Sequence, residues 1–281
     1  MSAPPDYLLV GHFTADLTPN GRIAGGTVSY AVRTAASFGL RVAVLTGCIP
    51  GDDLLAELTP YADVHVLPSE HTTTFENIYE PSGRIQYVRG VAVPITPADI
   101  PERFLGARLV HLAPIAGELD PEVAFRFADS ETLLTLQGWL RQWDDTGRVR
   151  FREFFHRDAL RVIDTVVFSE EDIVEAPHME REYAQTVTNL FVTRAEKGGT
   201  HYVNGVPHEY VTPPQTVLNP TGAGDVFAAS LLASLPSFDH DYERAVQVAA
   251  RLAATSVTRI GLASAPMPDE VAAAIAQVQG R

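Results

Sequence analysis

Short runs rich in Val, Leu and Ile alternate along this chain with longer helical patterns, which predicts an α/β fold around a mostly parallel central sheet. Two other features shape that expectation. A pair of period-two runs near residues 72–89 interrupts the alternation, and the final third carries the two longest helical patterns, both Ala-rich. In order, strands are expected at Tyr7 to Phe13, Arg41 to Gly47, Arg108 to Ala113, Thr132 to Leu136, Thr165 to Phe168 and Leu190 to Thr193. Helices are expected between them at Thr27 to Phe38, Asp53 to Leu58, Pro121 to Phe127 and Met179 to Val187. The two long patterns, Gly222 to Leu235 and Tyr242 to Thr258, have apolar residues on most faces, as helices lying on a sheet do.

The interruption is FENIYE and RIQYVR joined by Pro81-Ser82-Gly83, the composition of a β-hairpin. Such a hairpin is either a surface excursion or a lid over a ligand. Gly21 to Ile23 offers a short strand to pair with it.

The 281 residues, 46% of them apolar, are enough for one large domain or two small ones. No apolar stretch reaches the roughly 18 residues of a membrane span, and the first residues lack a basic region followed by an apolar core, so a cytoplasmic location is expected. With Cys48 as the single cysteine, no intrachain disulfide or cysteine zinc site can form. The net charge of −14 opposes attachment to nucleic acid or anionic lipid, so neither is an expected partner. Lys197 is the only lysine, and Gly198 follows it, which excludes a P-loop. Phosphate chemistry here must use arginine, backbone amides and metal.

The most informative segment is Asn219-Pro220-Thr221-Gly222-Ala223-Gly224-Asp225, immediately before an apolar helical run. Thr221 is the expected N-cap, and the glycines leave first-turn N–H groups open to a phosphate at the positive end of the helix dipole. Asp225 in that first turn could then take the proton of an attacking hydroxyl. The alternative is a capped glycine turn with a dipole-stabilised Asp and no function. A dinucleotide fingerprint fits worse, because Phe227 stands where a third glycine belongs and no strand immediately precedes the turn. Near the other end, Gly25-Gly26 precede a helix, and Asp16 follows the first strand, where α/β folds gather their ligands.

NPTGAGDVF resembles the DTTGAGD signature of the PfkB carbohydrate kinases, and GGTVSYAVRTAASFGLRVAVLTGCIPGDD resembles that family's first signature. VTRAEKGG and RLAATSVTRIGLASAP look like the family's nucleotide-side turn and adenine-side loop, so the likeness runs in order over nearly the whole chain. Within the family, ITPADIPERF, LTLQGWLRQWDDTGRVRF and VVFSEEDI are most similar to the myo-inositol kinase branch.

The resemblance implies a ribokinase-like three-layer α/β/α sandwich spanning residues 1–281 as one domain, with a β lid from segments at about 16–24 and 72–89. It implies an ATP- and Mg²⁺-dependent kinase acting on a sugar or cyclitol, with myo-inositol as the leading acceptor. Asp225 would be the base. The amides of Gly222, Ala223 and Gly224, with Arg141, would stabilise the transferring phosphoryl group. Asp16, Gly25, Gly26 and Gln137 would hold the acceptor. Thr193, Ala195, Gly198, Thr221 and Ala250 would line the nucleotide side, and Asp172 would reach the metal through water. A lid strand left exposed would pair with a second copy, giving a homodimer.

Three departures stand out. Asn219 replaces the leading Asp near which many members hold a monovalent cation, so the resemblance leaves cation activation open. Asp172, in Ser169-Glu170-Glu171-Asp172, replaces the glutamate of an Asn-x-x-Glu motif. Ala195 replaces a glycine of the nucleotide turn. Two rivals share much of this pattern: a nucleoside kinase, whose base could stack on Phe75, Tyr79 or Tyr87, and a sugar or nucleotide sensor that binds without turnover.

Overall fold

In the computed structural model, residues 3–80 and 83–280 are described. A nine-stranded sheet runs in the order Val206–Tyr210, Gly199–Val203, Asn189–Thr193, Thr165–Ser169, Glu131–Thr135, Leu109–Leu112, Tyr7–Val10, Val42–Cys48, Ala62–Pro68. From Asn189–Thr193 onward every pairing is parallel, and the two strands before it are antiparallel additions.

Both faces of this sheet are covered. Leu8, Val10, Ala43 and Leu45 pack on one side with Phe127, Leu160 and Tyr183. Tyr7, Leu9, Val42 and Val44 pack on the other with residues of the helices Gly26–Ser37, Ala223–Ser234 and Tyr242–Ser256. Alternate residues of one strand thus feed two cores, which is why these strands read as unbroken apolar runs.

The six expected strands form, with small shifts at their ends. Tyr7 to Phe13 is shorter than expected: the sheet strand stops at Val10, and a second strand, Thr14–Thr18, leaves for another sheet. That sheet has four strands, in the order Gly21–Gly25, Thr14–Thr18, Thr74–Glu80, Gly83–Gly90. The hairpin is therefore part of a lid. Gly21–Gly25 joins it through Thr14–Thr18 and not by pairing with the hairpin itself. The Pro81-Ser82 part of the expected turn lies outside the described residues.

Asp53–Glu57 and Pro121–Phe127 are 3₁₀ turns in place of α-helices. The helices Arg157–Val162 and Pro268–Gln279 and the outer strands were not anticipated from periodicity. A local signal for one pair was present: Asn204-Gly205 joins Gly199–Val203 to Val206–Tyr210 with φ of 49° and 81°, the left-handed pair a tight hairpin needs.

The lid is pinned where it meets the main sheet. His12, fully buried, lies between Tyr7–Val10 and Thr14–Thr18. Burial lowers its pKa and keeps the ring neutral, so Nε2–H donates to the Val93 carbonyl at 3.0 Å and Nδ1 accepts from Thr73 Oγ1 at 2.7 Å. Thr73 and Val93 flank the two lid strands of the hairpin. On the far side, Arg22 donates to the buried Asp52 at 2.5 Å, and Thr72 donates to the same carboxylate.

Candidate active site

Lid and sheet enclose a cleft of about 1490 Å³. Its floor is formed by the carboxyl ends of the parallel strands, at Thr135, Val167 to Ser169 and Thr193, where side chains can converge without interrupting the ladder. Single-ligand pockets are about 300–1,000 Å³, so this one has room for two reactants.

Asp225 sits in the first turn of Ala223–Ser234 and accepts a hydrogen bond from Thr27 Oγ1 at 2.7 Å. Its desolvated setting pushes its pKa up to about 6, against the Thr27 hydrogen bond and the charge of Arg141, with Asp172 adding to the rise. Such a carboxyl is ionised at neutral pH yet far more basic than one in water.

The turn before it differs in detail from the sequence expectation. Gly222, not Thr221, is the N-cap, at φ +86°, and no side chain caps the helix. The Thr221 amide donates instead to Asn219 Oδ1 at 2.8 Å, so the amide oxygen of Asn219 holds the turn in a role a carboxylate would also fill. The Ala223 amide turns back to the Pro220 carbonyl at 3.2 Å. The expected three-amide anion hole therefore narrows to Gly222 and Gly224. A Cβ on Gly222 would fall 2.4 Å from the Tyr30 ring, whereas one on Gly224 meets nothing.

At the lid end, Asp16, Thr14, Gly26, Phe75 and Gln137 line the cleft. Gly25 is buried behind them and makes room for Asp16: a Cβ there would come within 2.3 Å of Asp16 Oδ2. Thr14 Oγ1 is buried and without a hydrogen-bond partner among the described residues. Register places Asp16 opposite Phe75, on the lid face that meets the cleft. Tyr87 does not line the cleft. It lies on the opposite face under the Arg89 guanidinium, 4.5 Å from its ring centroid, because its position in the strand has the other parity. The Tyr79 side chain lies outside the described part.

Arg141 lines the cleft and donates to the Ile115 carbonyl at 2.9 Å, with its guanidinium 5.4 Å from the Phe75 ring centroid. It opens the strand Arg141–Trp143, after a 3₁₀ turn. Asp172 also lines the cleft; its Oδ1 accepts from Gln137 Nε2 at 3.0 Å and its Oδ2 from the Ser169 amide at 2.9 Å. No cluster of three metal-ligating side chains occurs among the described residues. Asp172 and Glu171 in the cleft instead fit a Mg²⁺ carried mainly by donor phosphates, which needs only one or two carboxylates from protein.

Of the residues expected on the nucleotide side, Thr193, Ala195, Gly198 and Thr221 line the cleft. Ala195 has φ of 49°, the backbone reason a glycine would suit this turn. Ala250 does not reach the cleft; it is buried in the core, and Ala253, Ala254 and Val257, one to two turns further along its helix, form the wall instead.

Residues 156–270, a span containing Asp225 and the Ala195 turn, match the pfkB family carbohydrate kinases. Over 251 residues the chain is 25% identical to a cytidine kinase of Thermococcus kodakarensis, covering 81% of this chain and 87% of the relative. It is 27% identical to an inositol 3-kinase of Zea mays, covering 81% of this chain but 66% of that longer protein. Its fold matches a pyrophosphate-dependent kinase of the ribokinase family, solved with a pyrophosphate analog and myo-inositol, with a TM-score of 0.78 and 20% identity over 95% of this chain and 99% of the other. No helix among the described residues is long and apolar enough to cross a membrane.

Proposed function

We propose that this chain transfers the γ-phosphoryl group of ATP to a hydroxyl of a sugar or cyclitol, with myo-inositol as the leading acceptor, and that residues 1–281 act as one kinase unit. The observation that carries this reading is the pairing of a basic, partly desolvated Asp225 with the open amides of Gly222 and Gly224 in one helix turn. A hydroxyl held by Asp16 and Thr14 would lose its proton to Asp225 as its oxygen attacks phosphorus. Charge on the transferring group would be met by the two amides and Arg141, so positioning and electrostatics supply most of the rate. Mg²⁺ bound to the donor phosphates would neutralise part of their charge, with Asp172 and Glu171 nearest to it.

ATP is favoured over pyrophosphate by the apolar wall of Val217, Val257 and Ile260, which suits a purine and would be bare to water beside a pyrophosphate. The likeness to an inositol kinase supports the cyclitol. A nucleoside acceptor is the second reading: Phe75 presents an aromatic surface on the acceptor side, and one relative is a cytidine kinase.

The test is an ADP-release screen of myo-inositol, ribose, fructose, adenosine and cytidine with Mg-ATP, run beside a phosphate-release screen with pyrophosphate. Myo-inositol turnover well above the others supports the narrow reading, and preference for a nucleoside replaces it. Binding by calorimetry without turnover identifies a sensor.

A further inference from the structure

Glu118 lies outside every motif discussed above, yet it is among the most connected side chains near the cleft. It is 4% exposed, and its carboxylate accepts three backbone amides: His12 at 2.9 Å, Ile115 at 3.1 and 3.0 Å, and Ala116 at 2.8 Å. His12 and Ile115 follow two adjacent strands of the central sheet, so one carboxylate ties both crossings at the cleft floor. Burying an ionised carboxylate is expensive unless its lone pairs are met, and amides on two segments meet them here.

What Glu118 fixes is also specific. Ile115 lines the cleft, and its carbonyl takes the hydrogen bond of Arg141 Nη1. We propose that Glu118 is a positioning residue: by fixing the loop 114–118 it sets the Ile115 carbonyl, which in turn holds the Arg141 guanidinium in the cleft with Asp225. The proposal rests on the kinase reading for its consequence in turnover, but not for the coupling itself. The charge of Arg141 already lowers the Asp225 pKa, so the two groups feel one another across the cleft. The same carboxylate anchors His12, whose ring holds Thr73 and Val93 at the lid junction, so the arginine and the lid hinge share one support.

Glu118→Gln replaces one acceptor oxygen with a donor group facing amides. Turnover of Mg-ATP with myo-inositol, or with cytidine if that is the better acceptor, should fall by up to about 10²-fold in kcat, the effect of an ångström-scale misplacement. KM for ATP should change little. In an Arg141→Ala background the same substitution should change kcat less than about twofold, because residues acting through one another are not additive. A support role unrelated to Arg141 would lower kcat equally in both backgrounds, which overturns the proposal.

The reverse experiment needs neither turnover nor a folded Glu118 variant. In Arg141→Ala, hydrogen exchange at the Ile115 and Ala116 amides should quicken several-fold relative to amides of the Thr165–Ser169 strand. Unchanged exchange there overturns the coupling. Wild-type protein inactive with every donor and acceptor, but with this exchange response intact, would instead remove the kinase reading alone.

Discussion

The two ends of the cleft are built by different means. The end proposed for the donor is mostly backbone: Gly222 and Gly224 amides, the left-handed Ala195 turn, and Gly198 at φ +91°, whose Cβ would fall 2.0 Å from the Tyr210 carbonyl. The end proposed for the acceptor is mostly side chains, delivered by segments far apart in sequence, at Thr14, Asp16, Phe75, Gln137 and Arg141. A backbone site is local and rigid, because its conformation requires particular residues at consecutive positions. A side-chain site can be changed one residue at a time while the fold stands.

If that contrast holds, the largest effect belongs to the group between the two ends. Asp225→Asn should lower kcat by about 10² to 10⁴ with the protein folded, since an amide cannot take the proton. Near wild-type turnover would remove the base assignment. Because the folded pKa is raised, ionisation of Asp225 weighs against the fold, and the penalty is absent below its unfolded pKa and complete above about 6. The Asn variant should therefore gain in Tm relative to wild type at pH 8 and not at pH 4, and wild-type kcat/KM should fall as pH drops through about 6.

The two glycines of the anion turn should then separate structure from function. Gly222→Ala combines an unfavourable φ with a collision against the Tyr30 ring and should destabilise the fold by about 2–4 kcal/mol, read by chemical denaturation. Gly224→Val should leave stability within about 1 kcal/mol of wild type, because its Cβ meets no protein atom, while kcat/KM for ATP falls at least about tenfold. Normal activity of the valine variant would place the phosphate elsewhere.

On the side-chain end, Asp16→Ala should raise the acceptor KM by about tenfold to 150-fold, the equivalent of about 1.5–3 kcal/mol for a charged hydrogen bond, and leave the ATP KM unchanged. A change in both constants would mean that the two ends are not separable. The smallest effect is expected at Ala195→Gly, which relieves the left-handed backbone and should add about 0.5 kcal/mol to stability with activity intact. A loss of stability would mean that the turn is held by contacts of the methyl group.

The same contrast explains how far the chain could be read before its structure. The sheet strands were legible because burial on both faces leaves continuous apolar runs, and the anion turn because its glycines and Asp225 are adjacent. Edge strands such as Ala62–Pro68, half-exposed along their length, left no such run. Glu118 was invisible, since a carboxylate that accepts amides from two distant segments has no local pattern. The parity of Tyr87 depended on the register of the lid strands, which a one-residue shift would invert. Asp172 showed its carboxylate in the sequence but not that Gln137 and the Ser169 amide already engage it.

Lys197 gives the protein an unusual chemical address. It is the only lysine in the chain, it is exposed, and its neighbours Glu196 and Gly198 line the cleft at the end proposed for the nucleotide. Apart from the chain's own amino terminus, every amine-directed reagent must therefore attach at the rim of the cleft. A fluorophore coupled there would be a single-position reporter whose quenching or polarisation reads whether a nucleotide arrives at the proposed donor end, with no engineered cysteine and no other side chain competing for the label.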